Sequence, residues 1–188
     1  MPGFLGDDEL RTLAAVVDRL VPPLDDHPGG AALGVVDYVD TLLDAFASDP
    51  PRIFAGGPFS GRAGGKASFG DFLELSALEQ LAWRIRIEGS RGDPAREFNG
   101  PVVGWQERYR TGLAALGPDF ADQTPEEQDR RLAADPGFRD LCYAHACEGA
   151  YGAPEYGGNR DGAGWRAIRF AGDTQPRGYT DEEVSGRD

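Results

Sequence analysis

The sequence predicts an all-α fold of five to six helices around one core, with a long Gly/Pro-rich loop and an irregular Gly-rich C-terminal extension. Apolar residues recur at helical spacing in several segments, and capping residues or prolines precede most of them. Strand patterns are poor, with 165–170 as the only short candidate. We interpret 1–188 as a single domain with a helical core over about 7–150, a C-terminal motif segment over 151–180 and a frayed tail over 181–188.

The first two helices are predicted over 7–21 and 31–47. Acidic residues open the first helix, where they suit the positive end of the helix dipole. Two consecutive prolines then end it. In the second helix, Asp37, Asp40 and Asp44 fall opposite the apolar residues, and we expect them to form a solvated face.

A segment rich in glycine and proline covers 48–70. It carries Phe54, Phe59 and Phe69 without a clear period, which predicts a long irregular loop. Loops of this length inside a compact domain are commonly functional or mobile.

Two helices are predicted after this loop. One covers 77–88, where Ser76 and Glu79 have the spacing of a capping box. The other is expected to begin at Pro101, because proline favours the first helical position, and to end before Gly117.

Two further helices precede the C-terminal segment. A short one follows the capping residue Thr124 and ends near residue 134, and a long one covers about 137–150. Cys142 and Cys147 would point about 140° apart on the long helix, so we expect no disulfide between them. A bridge from either cysteine to a partner is left open.

The charge balance limits the classes of partner. The chain has a formal net charge of −13, so we expect it to bind neither nucleic acid nor anionic membrane surfaces. No apolar run approaches the ~20 residues of a membrane span, and no signal peptide or twin-arginine motif is seen. We therefore expect a cytoplasmic protein without direct membrane insertion, or a periplasmic one if the start is truncated.

Candidate chemistry in this chain is sparse. Residues 60–67 lack the glycine and the hydroxyl residue that a P-loop requires, and no GxGxxG is present, so we expect no cofactor in this chain. Cys142, His145 and Cys147 are too few and too poorly aligned for a zinc site, so no metal is expected. His145 and Glu148, three residues apart on a helix, are weak catalytic candidates as a general base with an orienting carboxylate.

The run EGAYGAPEYGGNRDGAGWRAIRF, over 148–170, is the densest feature of the sequence. Its glycines permit unusual backbone conformations and close approach of another chain. Tyrosine, tryptophan and arginine, all present in it, dominate the energetics of many interfaces. From the residues alone, a partner surface and a loop that packs on its own domain remain equally open.

This run closely resembles the C-terminal signature of the gluconate 2-dehydrogenase subunit 3 family. Residues 13–40 are similar to that family's first two helices, with Tyr38 and Asp40 where the pattern places them. The resemblance implies a small, non-catalytic subunit of a hetero-oligomer. Its large partner would be an FAD-dependent flavoprotein of the glucose–methanol–choline type that oxidises a sugar, glycoside or sugar acid. The small subunit would aid its folding, stability or export.

The resemblance also assigns motif residues to fold integrity and partner contact. They are Tyr151, Tyr156, Gly157, Gly158, Asn159, Arg160 and Trp165. Many family members carry a twin-arginine signal, and its absence here argues against an export role. Two alternatives are an independent enzyme that acts on a sugar-like molecule through His145 and Glu148, and a scaffold protein unrelated to oxidoreductases.

Overall fold

The computed structural model describes residues 3–49, 51, 53 and 75–171. Within these residues the chain forms seven α-helices and no strand, which confirms the all-α prediction. The helices are α1 (Asp7–Leu20), α2 (Val35–Leu43), α3 (Ala77–Glu88), α4 (Trp105–Leu116), α5 (Pro125–Ala134), α6 (Pro136–Tyr151) and α7 (Ala163–Ala167).

The first helix agrees with its prediction to within one residue, whereas the second is shorter than predicted. α2 begins at Val35, so the predicted start at Ala31 is wrong. Gly34 has a φ of 83°, a left-handed conformation that interrupts a right-handed helix and that glycine adopts easily. After α2 the chain continues as a short 3₁₀ turn, Ala45–Ala47, rather than as α-helix.

The aspartates in and directly after α2 were expected to form a solvated face, and two of them also bond to other parts of the chain. Asp40 Oδ1 accepts a hydrogen bond of 2.8 Å from the backbone N–H of Leu5. Asp37 forms an ion pair with Arg160. Burial, together with the neighbouring Asp40 carboxylate, raises the pKa of Asp44. The prediction is therefore corrected for Asp40, which is partly buried and joins α2 to Leu5, whereas Asp37 is exposed as predicted and also pairs with Arg160.

The third helix agrees with its predicted bounds, and its capping box is confirmed. Ser76 Oγ accepts a hydrogen bond of 3.3 Å from Glu79 N, and Glu79 Oε2 accepts one of 2.8 Å from Ser76 N. Each side chain thus satisfies a backbone amide that has no partner within the helix.

The fourth helix begins at Trp105, so the prediction of a start at Pro101 is wrong. Gly104 is extended, with φ −76° and ψ 164°, and it lies directly against the end of α3. A Cβ at this position would be 2.3 Å from Gly89 N. Packing between backbone segments therefore keeps the chain extended where proline alone favours a helix start.

The sixth helix is the centre of the molecule, because it contacts α1, α2, α4, α5 and α7. Asp135 Oδ1 caps it by accepting a hydrogen bond of 2.9 Å from Phe138 N. Burial of large apolar side chains, worth about 1.5–3 kcal/mol each, supplies the main stabilisation of this core. Its buried members include Leu13, Val16, Val17, Val39, Leu43, Tyr109, Leu113, Phe120, Phe138, Cys142 and Ala146.

The C-terminal end of the described chain is helical where a strand was the candidate. Residues Ala163–Ala167 form α7, so the strand candidate over 165–170 is wrong. The predictions for Phe54, Phe59 and Phe69, and for the chain after residue 171, concern positions outside the described residues.

Candidate functional site

The C-terminal motif segment turns back sharply after α6. It forms two 3₁₀ turns, Pro154–Tyr156 and Arg160–Gly162, before α7 begins. Gly157, Asn159 and Asp161 have φ values of 98°, 45° and 54°. Glycine, asparagine and aspartate are the residues that tolerate this left-handed conformation best. The residue types at these three positions therefore match the backbone conformation of the turns.

Asn159 lies at the centre of these turns with its side chain fully buried. Its Oδ1 accepts hydrogen bonds from Gly164 N at 2.8 Å and Trp165 N at 3.4 Å. Its Nδ2 donates to Gly152 O at 2.8 Å. Both ends of the buried amide are therefore satisfied, as burial of a polar group requires, and they join the end of α6 to α7.

Two glycines bring the motif segment into direct contact with the backbone of α6. A Cβ on Gly158 would lie 2.1 Å from Gly149 O, and one on Gly164 would lie 2.0 Å from Ala150 O. Carbonyl oxygens in a packed helix cannot move away cheaply. These positions therefore require glycine for steric reasons within this chain.

The large side chains of the motif also bond within the chain. Trp165 Nε1 donates a hydrogen bond of 2.6 Å to Tyr151 O. Arg160 N donates to Leu33 O at 3.1 Å, and the Arg160 guanidinium pairs with Asp37. The structure therefore shows that much of the motif packs on its own domain, which is one of the two alternatives that the sequence left open.

His145, the histidine of the candidate catalytic pair, is buried in the core. Its Nδ1 lies 3.0 Å from Tyr109 Oη, and its ring meets the Trp105 ring edge-on with centroids 4.5 Å apart. Burial, and to a lesser extent the charge of Arg108, lowers the pKa of His145 to about 4. The imidazole is thus neutral at pH 7 and enclosed by aromatic side chains.

Glu148, the other member of that pair, has a different partner. Its Oε2 accepts a hydrogen bond of 2.8 Å from Tyr38 Oη. Burial, reinforced by the Glu148 carboxylate, raises the pKa of Tyr38. No hydrogen bond joins His145 to Glu148, although both belong to the described residues, so the structure does not form the predicted base and orienting carboxylate.

Comparison with known families then decides where the chain belongs. A family model described as gluconate 2-dehydrogenase subunit 3 matches residues 7–172. The chain belongs to this family. The resemblance drawn from 148–170 and 13–40 is thereby confirmed, and the chain is related to a dehydrogenase subunit. No curated protein and no solved structure matches it.

In this member of the gluconate 2-dehydrogenase subunit 3 family, the motif residues differ in exposure. Asn159 and Gly158 are buried, Tyr156 is half-buried, and Gly157 and Arg160 are exposed. The assignment of the motif to fold integrity stays a prediction, which its contacts within the chain favour. Its assignment to partner contact stays a prediction.

The two cysteines lie on α6, as predicted, and both are free thiols. Cys142 is buried, which raises the pKa of its thiol to about 12, whereas Cys147 is only partly buried. Among the described residues, no group of three or more His, Cys, Asp or Glu side chains could hold a metal ion. No helix in that part of the chain has the length and apolar character needed to cross a membrane.

Proposed function

We propose that this chain is the non-catalytic small subunit of a dehydrogenase complex, and that it binds and stabilises or matures a large FAD-dependent subunit. The observation that carries this proposal is the family match over residues 7–172. The large subunit would be a flavoprotein of the glucose–methanol–choline type. It would hold the FAD and oxidise a sugar, a glycoside or a sugar acid.

The local chemistry of the chain supports this role. A general base has to reach its substrate, directly or through one water. His145 is instead buried against Tyr109 and Trp105, and Glu148 is engaged by Tyr38. These contacts favour a structural role for both catalytic candidates.

The packing of the motif makes this chain itself a rigid partner for the large subunit. Asn159 and the close glycine contacts fix the C-terminal segment on α6. A surface that is ordered before binding loses less conformational entropy on association. A small helical subunit of this kind can therefore present a preformed surface to a larger protein.

The test is to express the chain alone and together with the large dehydrogenase subunit of its complex. We expect the isolated chain to show no flavin absorbance and no sugar oxidation. Co-expression should raise the soluble, active yield of the large subunit several-fold. Co-expression with an unrelated helical protein of similar size and charge is the control.

Two results would contradict the proposal. The first is a large subunit that is fully soluble and active without this chain. The second is turnover by the isolated chain that His145→Gln abolishes while the fold is retained, since this would favour an independent enzyme.

A further inference from the structure

A groove runs between the end of α1, the turn that follows it and the outer face of α6. Tyr143, Cys147 and Tyr151 are spaced by four residues and form one stripe along α6. The lining is mostly apolar. It comprises Leu20, Val21, Pro22, Leu24, His27, Tyr143, Cys147 and Tyr151.

The turn that forms one wall of the groove is held in place by hydrogen bonds. Leu24 N donates to His27 O at 2.9 Å, and His27 N donates to Leu24 O at 3.0 Å. His27 Nε2 lies 2.9 Å from Tyr151 Oη, which joins the turn to α6. The groove is therefore preformed, as binding sites usually are.

The groove exposes apolar surface that the core does not use. Leu24 is 70% exposed and Tyr143 is 53% exposed. The groove has a volume of about 160 Å³. An engineered cavity of about 150 Å³ in another protein binds benzene, so this volume suits one large apolar side chain.

The turn that forms one wall of the groove carries two acidic residues. Asp25 and Asp26 lie between the two bridged residues of the turn, and both are exposed. None of the lining side chains is lysine or arginine, and the chain as a whole carries a net charge of −13. A complementary ligand would place an arginine or lysine beside its apolar group.

We propose that this groove receives an apolar side chain, flanked by arginine or lysine, from the large dehydrogenase subunit. The inference rests on the proposed function, which supplies the partner. Anchors of this kind fill pockets at the centre of interfaces, and charges at the rim mainly accelerate association. The groove lies beside the motif segment and shares Tyr151 with it.

The test compares two leucines of similar exposure. Leu24→Asp alters the groove, whereas Leu78→Asp alters a leucine on α3 that is 76% exposed and does not line the groove. With the purified large flavoprotein subunit as the probe, we expect Leu24→Asp to raise the dissociation constant at least about tenfold. Leu78→Asp should change it less than about twofold.

Two further variants sharpen this test. Tyr143→Ser should also weaken binding, and it gives a second readout if Leu24→Asp fails to fold. Replacing both Asp25 and Asp26 by asparagine should slow association and make it less sensitive to salt, because rim charges act mainly on the association rate.

The outcomes separate the groove from the proposed function. If Leu24→Asp and Tyr143→Ser bind the flavoprotein as tightly as the wild type, the groove assignment is overturned and the proposed function stands. If the wild type does not bind, both are overturned. A wild-type homodimer that Leu24→Asp dissociates would place a second copy of this chain in the groove, which also overturns the assignment.

Discussion

The two faces of α6 differ in burial and in what they contact, although their residues alternate along one helix. Cys142, His145 and Gly149 face inward and are buried. Tyr143 and Cys147 face outward, where Tyr143 is exposed and Cys147 is half-buried. The inward face holds the core and the C-terminal motif, and the outward face lines the groove. Much of the family motif packs against the inward face, while the groove proposed for the partner lies mainly on residues around the motif.

This difference has a thermodynamic consequence. Buried groups are closely packed and have few alternative partners, so a change there costs stability. Exposed groups contribute little to folding, and substitutions among them usually change the free energy of unfolding by less than about 0.5 kcal/mol. We therefore expect substitutions on the two faces to alter stability and partner binding separately.

The largest effect is expected where the motif touches the inward face. In Gly158→Ala the new Cβ would meet Gly149 O at 2.1 Å. Because neither backbone can yield easily, we expect a loss of about 3 kcal/mol in the free energy of unfolding, measured by urea denaturation.

A second glycine substitution is the control for this experiment. Gly137 lies in the first turn of α6, and a Cβ there would be no closer than 3.5 Å to Asp135 Oδ1. Gly137→Ala should leave stability unchanged or raise it by up to about 1 kcal/mol, since alanine favours the helix. Equal losses in the two variants would contradict the account of the motif.

The second prediction concerns the pH dependence of stability through His145. Burial lowers its pKa to about 4 in the folded state, whereas an unfolded histidine titrates near pH 6.5. Below about pH 6.5 the unfolded chain therefore takes up a proton that the folded chain does not. Stability should fall as the pH drops from about 6.5 to about 4, by about 3 kcal/mol in total.

The measurement is the free energy of unfolding against pH for the wild type and for His145→Gln. The glutamine variant cannot titrate and should lose stability less steeply in this window. The difference between the two curves cancels contributions from carboxylates. Parallel curves would show that His145 is not held neutral by burial.

The third prediction concerns the buried amide that joins α6 to α7. Asn159→Ala would leave Gly164 N and Gly152 O without this partner, and would put alanine at a φ of 45°. We expect a loss of about 2 kcal/mol, measured by thermal denaturation. The control is Asn99→Ala, at an exposed asparagine, which should have almost no effect. If both variants unfold like the wild type, the amide does not join the helices.

The smallest effect on folding is expected on the outward face. Tyr143→Ser removes a ring that is 53% exposed, so the free energy of unfolding should change by less than about 0.5 kcal/mol. The same variant should weaken binding of the large subunit. A loss of stability as large as that in Gly158→Ala would contradict the separation of the two faces.

Local sequence signals predicted much of the fold. The capping box at Ser76 and Glu79 and the cap at Thr124 were predicted from spacing, and both are present. The starts of α2 and α4 were missed. Gly34 interrupts the second helix with a left-handed conformation, and Gly104 stays extended because it packs against Gly89. Intrinsic helix propensity does not predict such features of the folded chain.

The site was predicted less completely than the fold. The resemblance identified the family from the motif. Two of its contacts join residues that are distant in sequence: Glu148 bonds with Tyr38, 110 positions away, and Arg160 pairs with Asp37. The groove was not predicted, because the turn at Leu24 and the stripe on α6 meet only in the folded chain.

The native cysteines allow the most direct test, because they lie on opposite faces of α6. Cys142 is buried with a thiol pKa of about 12, and Cys147 lines the groove. We would follow alkylation of both thiols by mass spectrometry, in the free chain and in its complex with the large dehydrogenase subunit. We expect Cys147 to react in the free chain and to be protected in the complex, while Cys142 should react slowly in both. Equal labelling of Cys147 in the two states would contradict this expectation.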